Sequence, residues 1–160
     1  VTNDTPDVRY KFKELRVYSS TEWLADNKKR YRQVFDKFDT SFIYAELSFY
    51  NKMFDREDWE INLTLKCFSF HKNKTEICEL PIQKNVSKYD NVVFIREGWG
   101  NKSDGAFWKK GTYFWEAWVE GKKVSSKYFY IEEPRRHKWL VKYKWNKLSR
   151  KNLSTTLRVL

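Results

Sequence analysis

Histidine occurs twice, cysteine twice and methionine once in 160 residues, and each scarcity narrows the range of function. His71 falls at an expected hairpin tip and His137 in a basic segment; nothing places either beside a nucleophile, and both read as solvated surface residues. No apolar run approaches the roughly 18 residues that cross a bilayer. The opening stretch, Val1 to Pro6, holds neither an initiator Met nor a signal peptide, so the simpler expectation is a piece of a longer chain. Gly100 and Gly105 have the spacing of a phosphate loop, but Ala106 and Phe107 stand where Lys and Ser or Thr are needed. Asp55, Glu57 and Asp58 make an acidic stretch without the twelve-residue calcium-loop pattern. The expectation is therefore a non-enzyme, with no catalytic residue, no metal site and no cofactor assigned.

What the chain has in abundance is rings: twelve Phe, ten Tyr and eight Trp. Broad side chains of this kind pack well on a pleated surface, and the period-two pattern agrees. Tyr113, Trp115, Ala117 and Val119 share one face of a late strand, with Thr112, Phe114, Glu116 and Trp118 on the other. Glu120-Gly121 turns the chain back toward Val124, Phe129 and Ile131, since glycine tolerates the positive φ of a tight hairpin. Placing Cys67 opposite Cys78 aligns Leu65 with Leu80 and Leu63 with Ile82, with the hairpin tip at Lys72-Asn73. Pro81 marks that second strand as an edge or a strand end. Further strands are expected over Val8–Ser19, interrupted near Lys13-Glu14, and over Tyr31–Phe38, Ser41–Tyr50 and Asn91–Ile95. A short helix is expected to begin at Ser20, and Gly98-Trp99-Gly100 to lead into a loop.

Seven or eight strands with no long helical pattern before Pro134 predict an all-β, immunoglobulin-like antiparallel β-sandwich over residues 1–133. Gly111-Thr112-Tyr113 resembles the tyrosine corner of such sandwiches. Residues 134–160 form a basic C-terminal extension. They carry nine of the 32 cations and none of the 21 carboxylates, so the rest of the chain holds 23 against 21 and is close to neutral. In the extension Trp139, Val141, Tyr143 and Trp145 alternate with Lys138, Leu140, Lys142 and Lys144, while Trp139, Tyr143 and Leu148 also make a helical stripe.

Cys67 and Cys78 admit three readings: free buried thiols, a disulfide, or two zinc ligands with His71. Six asparagines (Asn3, Asn62, Asn73, Asn85, Asn101 and Asn152) begin N-x-S/T, against about one expected by chance; the excess favours a secreted glycoprotein, and turn composition is the competing explanation. Trp99, Phe107 and Trp108 flank a loop at one end, where exposed rings stack on a sugar, a base or a partner's apolar side chain, and buried rings merely cap the core. Lys138, Trp139, Lys142 and Lys144 combine cations with rings, a pattern suited to nucleic acid, an anionic surface or another part of a larger protein.

The runs Arg96-Glu97-Gly98-Trp99-Gly100, Phe107-Trp108-Lys109-Lys110-Gly111-Thr112-Tyr113, Trp115-Glu116-Ala117 and Phe129-Tyr130-Ile131 resemble a β-sandwich module of large bacterial AAA-type ATPase polypeptides. Thr21-Glu22-Trp23 and Ala45 to Lys52 are similar too, so the likeness covers about residues 8 to 133. The resemblance implies an accessory module whose ATPase chemistry lies in another domain, and it transfers no catalytic residue. The expected function is protein interaction, with a partner or with another domain of the same polypeptide. Nucleic-acid binding through the extension and sugar binding by a secreted sandwich are the alternatives. A cytoplasmic location is expected under the first reading and a secreted one under the last.

Overall fold

A computed structural model describes residues 8–23 and 29–134, and within them two β-sheets face each other. The strands are β1 (Tyr10–Trp23), β2 (Lys29–Tyr31), β3 (Val34–Asp36), β4 (Phe42–Asn51), β5 (Trp59–Phe70), β6 (Lys74–Val86), β7 (Val92–Gly100), β8 (Gly111–Val119) and β9 (Lys122–Glu132). One sheet has the order β2-β1-β4-β7 and the other β3-β9-β8-β5-β6. Every pairing is antiparallel except β3 with β9, which run parallel. The described part of the chain is thus an immunoglobulin-like β-sandwich, with nine strands in place of the seven or eight expected.

Alternation explains which side chains lie between the sheets. Ile43, Ala45, Leu47 and Phe49 of β4 face Ile61, Leu63, Leu65 and Cys67 of β5 and Tyr113, Trp115, Ala117 and Val119 of β8 across a shared core. The β5–β6 register is the one that the apolar pairs demand, with Cys67 opposite Cys78, Leu65 opposite Leu80 and Leu63 opposite Ile82. Beyond Cys67 a bulge at Ile77 shifts the ladder, so that Phe68 pairs with Glu76. The expected interruption near Lys13 is also a bulge, since Phe12 pairs with Phe49 and Glu14 with Ser48. At the β8–β9 turn Glu120 and Gly121 both take positive φ (49° and 81°), the geometry that a two-residue hairpin requires.

Tyr113 closes a tyrosine corner: its hydroxyl donates to Lys109 O at 2.7 Å and accepts from Lys109 N at 3.2 Å. Two residues on, where antibody domains hold the second Cys of their inter-sheet disulfide, stands the fully buried Trp115. A ring of this size removes on the order of 200 Å² of apolar surface from water.

Three local expectations change. The helix expected from Ser20 is strand through Trp23, because β1 runs on past its last β4 pair to set Trp23 opposite Lys29 of β2; residues 24–28 lie outside the described residues. The single strand expected over Tyr31–Phe38 divides. β2 pairs with β1 in one sheet, the chain crosses at Arg32-Gln33, and β3 pairs with β9 in the other before a 3₁₀ turn at Lys37–Asp39. Asp36 caps that turn by accepting from Phe38 N at 2.8 Å. Gly98-Trp99-Gly100 belongs to β7 and pairs with Tyr44, Ile43 and Phe42, so the loop starts later than expected.

Candidate functional site on the outer sheet faces

Side chains that alternate away from the core decide what each outer face offers. On the five-stranded sheet these include Phe68 and Phe70 of β5, with Thr64 and Lys66, then Thr112, Phe114, Glu116 and Trp118 of β8, and Tyr128 and Tyr130 of β9. Phe114 sits in the middle strand. Its ring stacks on Phe68 at 5.2 Å, tilts against Tyr128 at 5.1 Å and meets Phe70 at 6.5 Å. Phe114 and Phe68 are buried by their neighbours, whereas Tyr128, Phe70 and Tyr130 remain 53%, 45% and 36% exposed. The result is an aromatic row across three strands with no second layer over it among the described residues.

Lys74 ties that row to a carboxylate. Its ammonium lies 4.2 Å from the Phe68 ring centre and 2.9 Å from Glu116 Oε2. Glu116 also accepts from Trp118 Nε1 at 2.9 Å and faces Lys123 at 3.7 Å. Burial alone pushes its pKa up, but the hydrogen bonds from Lys74 and Trp118 prevail and hold the carboxyl below its ordinary range.

The four-stranded sheet carries a parallel arrangement. Directly across the strands, Arg16, Glu46 and Arg96 stand in line. Glu46 accepts from Arg16 Nη2 at 3.0 Å, from Arg96 Nε at 2.5 Å and from Tyr31 Oη at 2.9 Å, and its side chain is fully covered although it points away from the core. Burial raises its pKa and these three bonds outweigh it, so the carboxyl titrates below the usual range. Arg16 stacks on Tyr31 at 3.8 Å, and Tyr18 lies flat against Tyr44 at 5.0 Å. Cations hold each carboxylate ionised, and the arrangement cross-links strands.

The residues singled out in the sequence are placed as follows. Trp108 is fully buried, edge-on to Phe107 and Tyr113 at 5.0 Å and to Phe129 at 5.4 Å. This corrects its expected part as a binding anchor: the ring fills the end of the core. Trp99 and Phe107 are half-buried and pack against the same cluster. Lys138, Trp139, Lys142 and Lys144 lie outside the described residues. Cys67 and Cys78 are free and buried, and burial pushes both thiols up, Cys78 to about 11. His71 is exposed, with its ring against Gly111. Asp58 accepts from Lys88 N at 2.8 Å, and among the described residues no three His, Cys, Asp or Glu gather where they would hold a metal ion. Asn62, Asn73, Asn85 and Asn101 are all exposed, Asn62 because it faces outward from β5. Among the described residues no helix is long and apolar enough to cross a membrane.

Neither aromatic row nor carboxylate cage was singled out from the sequence. The usable signal was present: Phe114, Glu116 and Trp118 occupy the face opposite Tyr113 and Trp115, and large rings on a supposedly wet face of a strand mark a covered or binding surface.

No family model matches the chain, and no curated protein matches it. Among solved structures it is similar to the alkylpurine DNA glycosylase AlkC of Pseudomonas fluorescens bound to DNA containing an abasic site analogue. The identity is 9% and the TM-score 0.49, over 78% of this chain and 30% of that one. It is similar also to an immunoglobulin-like protein from Pseudomonas aeruginosa, at 8% identity and a TM-score of 0.47, over 80% of this chain and 100% of that one. A β-glucosidase from Erythrobacter marinus follows at 11% and 0.44, over 77% of this chain and 15% of that one. The chain spans under a third of the glycosylase and under a sixth of the glucosidase. Likenesses this distant carry no functional argument, and the fold stands on the sheet order itself.

Proposed function

We propose that the sandwich is a non-enzymatic interaction module that docks on a protein surface, either of a partner or of another domain of a larger polypeptide, through the outer face of its five-stranded sheet. The observation that carries this reading is the exposure of Phe70, Tyr128 and Tyr130 on one face, the first two packed against Phe114, which stacks on Phe68. Rings held by their neighbours lose little side-chain entropy on binding, which suits them to anchor an interface. The resemblance of its G-W-G and W-x-x-G-T-Y runs to accessory modules of AAA-type ATPase polypeptides supports the same reading, while the structural neighbours point to no such module. The test is affinity capture from the source cells with the wild-type chain and a Phe70→Ser/Tyr128→Ser variant. The partner should be retained by the wild type and by a Lys84→Ser control and lost from the double variant. Equal recovery by all three proteins counts against the reading.

A second reading rests on the nine cations and no carboxylates after Glu133. Nucleic acid bound through residues 134–160 would show affinity falling steeply with salt and abolished by deleting that segment. Salt-independent binding, or binding that survives the deletion, removes it.

A further inference from the structure

An unpaired strand edge is a template for another strand, and folded β-proteins blunt such edges with bulges, lysines, prolines or short strands. Most of the described edges here are blunted in these ways. β2 and β3 are three residues each. β6 holds Pro81, Lys74, Lys84 and the bulge at Ile77. The first half of β1 holds Lys11, Lys13 and a bulge at Lys13. The part of β9 before its pairing with β3 holds Lys122, Lys123, Lys127 and a bulge at Val124.

β7 has no bulge, Lys or Pro and is not short; the charges it carries are Arg96 on the outer face and Glu97 on the face of Val93 and Ile95. Its nine residues pair with β4 in unbroken register, it contains neither Pro nor Lys, and it ends the order β2-β1-β4-β7 with its far side open among the described residues. Phe94 is 37% exposed on the outer face, next to Arg96, whose guanidinium lies 5.2 Å from the Phe94 ring.

We infer that β7 is the interface between two copies of this chain, which add edge to edge about a two-fold axis at Ile95. The axis stands perpendicular to the sheet, so residues placed opposite each other share a face. Three such registers pair seven residues or more. Centring on Arg96 sets that cation against itself, and centring on Glu97 sets that carboxylate against itself; like charges directly opposite oppose pairing. Centring on Ile95 avoids both. It sets Phe94 of each copy against Arg96 of the other and Val92 against Gly98, and the two four-stranded sheets become one of eight strands. The partner copy's Arg96 meets a ring in the contact that Arg96 already makes within its own strand. This contact does not use the aromatic row of the five-stranded sheet, so the two proposals stand or fall separately.

The test is sedimentation velocity of the full chain over concentrations bracketing the micromolar constants expected of so small an interface. Phe94→Lys installs the blunting residue of the other edges and sets two cations against the two Arg96 side chains, and it should weaken association about tenfold or more. Phe94→Glu places a carboxylate opposite each Arg96 and should stay within about threefold of wild type. Circular dichroism checks that both variants keep the strand signal. A wild type that is monomeric at every concentration overturns the proposal. So does a Phe94→Lys variant that associates as well as the wild type, a Phe94→Glu variant that fails as badly as Phe94→Lys, or a dimer dissolved by Phe70→Ser/Tyr128→Ser but not by Phe94→Lys.

Discussion

Replacing Glu46 with Gln keeps the shape of the side chain and removes the charge that three donors share. Removing one partner from a fully buried ion pair costs about 3–5 kcal/mol. That figure is too large here, because Arg16 and Arg96 are 32% and 42% exposed and stay hydrated once the carboxylate is gone. An exposed pair contributes about 0–1 kcal/mol, which is too small for an acceptor whose side chain is fully covered. Glutamine still accepts one hydrogen bond from Tyr31, but its amide N–H groups then face the N–H groups of an arginine. A loss of about 2 kcal/mol follows, worth roughly 6 °C in Tm for a chain of this size. The pH dependence has a definite sign. The carboxyl's pKa is lowered from 4.5 in the folded state, so its stabilisation is fully present above the unfolded value and is lost as pH falls through the folded one. Urea titrations of wild type and Glu46→Gln should therefore differ by a constant amount from about pH 5 to about pH 8 and converge in acid. An unchanged midpoint at neutral pH, or a gap that widens in acid, refutes the cage as a stabilising element.

Other expectations follow from single contacts. Tyr113→Phe removes the hydroxyl that both accepts from and donates to Lys109, and should cost about 1–2 kcal/mol in the same titration, with the β-sheet circular dichroism signal unchanged. Gly100→Ala drives a methyl into the Ser41 carbonyl oxygen at a φ of 153°, so the β4–β7 ladder must shift; a loss above about 2 kcal/mol is expected, and an unaltered Tm contradicts the pairing there. The thiols of Cys67 and Cys78 should resist a disulfide reagent such as DTNB in the native state and react fully in denaturant, because burial raises both pKa values and blocks access. Rapid native-state labelling would show that the core between the two sheets does not enclose them.

Much of the sandwich was legible because one face of each long strand is buried. The Cys67–Cys78 register followed from three apolar pairs, and Tyr113, Trp115, Ala117 and Val119 could share a face only by pointing inward. What was not legible depends on contacts distant in sequence. The crossing at Arg32-Gln33 splits an apparently continuous run because its halves find partners in different sheets, and no local pattern announces that. Nothing local to Glu46 marks it as buried. It accepts from Arg16, thirty positions earlier, and Arg96, fifty later, which meet it only once β1, β4 and β7 are in register. Trp108 had a loop position and a core destiny, since Tyr113 and Phe129 wall the space into which it folds. The aromatic row was divided among β5, β8 and β9, each contributing rings that alone read as incidental.

Hydroxyl-radical footprinting of the domain, free and bound to the captured partner, tests the central claim most directly. Binding through the five-stranded sheet predicts that Phe70, Tyr128 and Tyr130 lose reactivity in the complex while Trp99 and Phe107 keep theirs. Protection of Trp99 and Phe107 with the three exposed rings unchanged would move the interface to the end of the sandwich and contradict it.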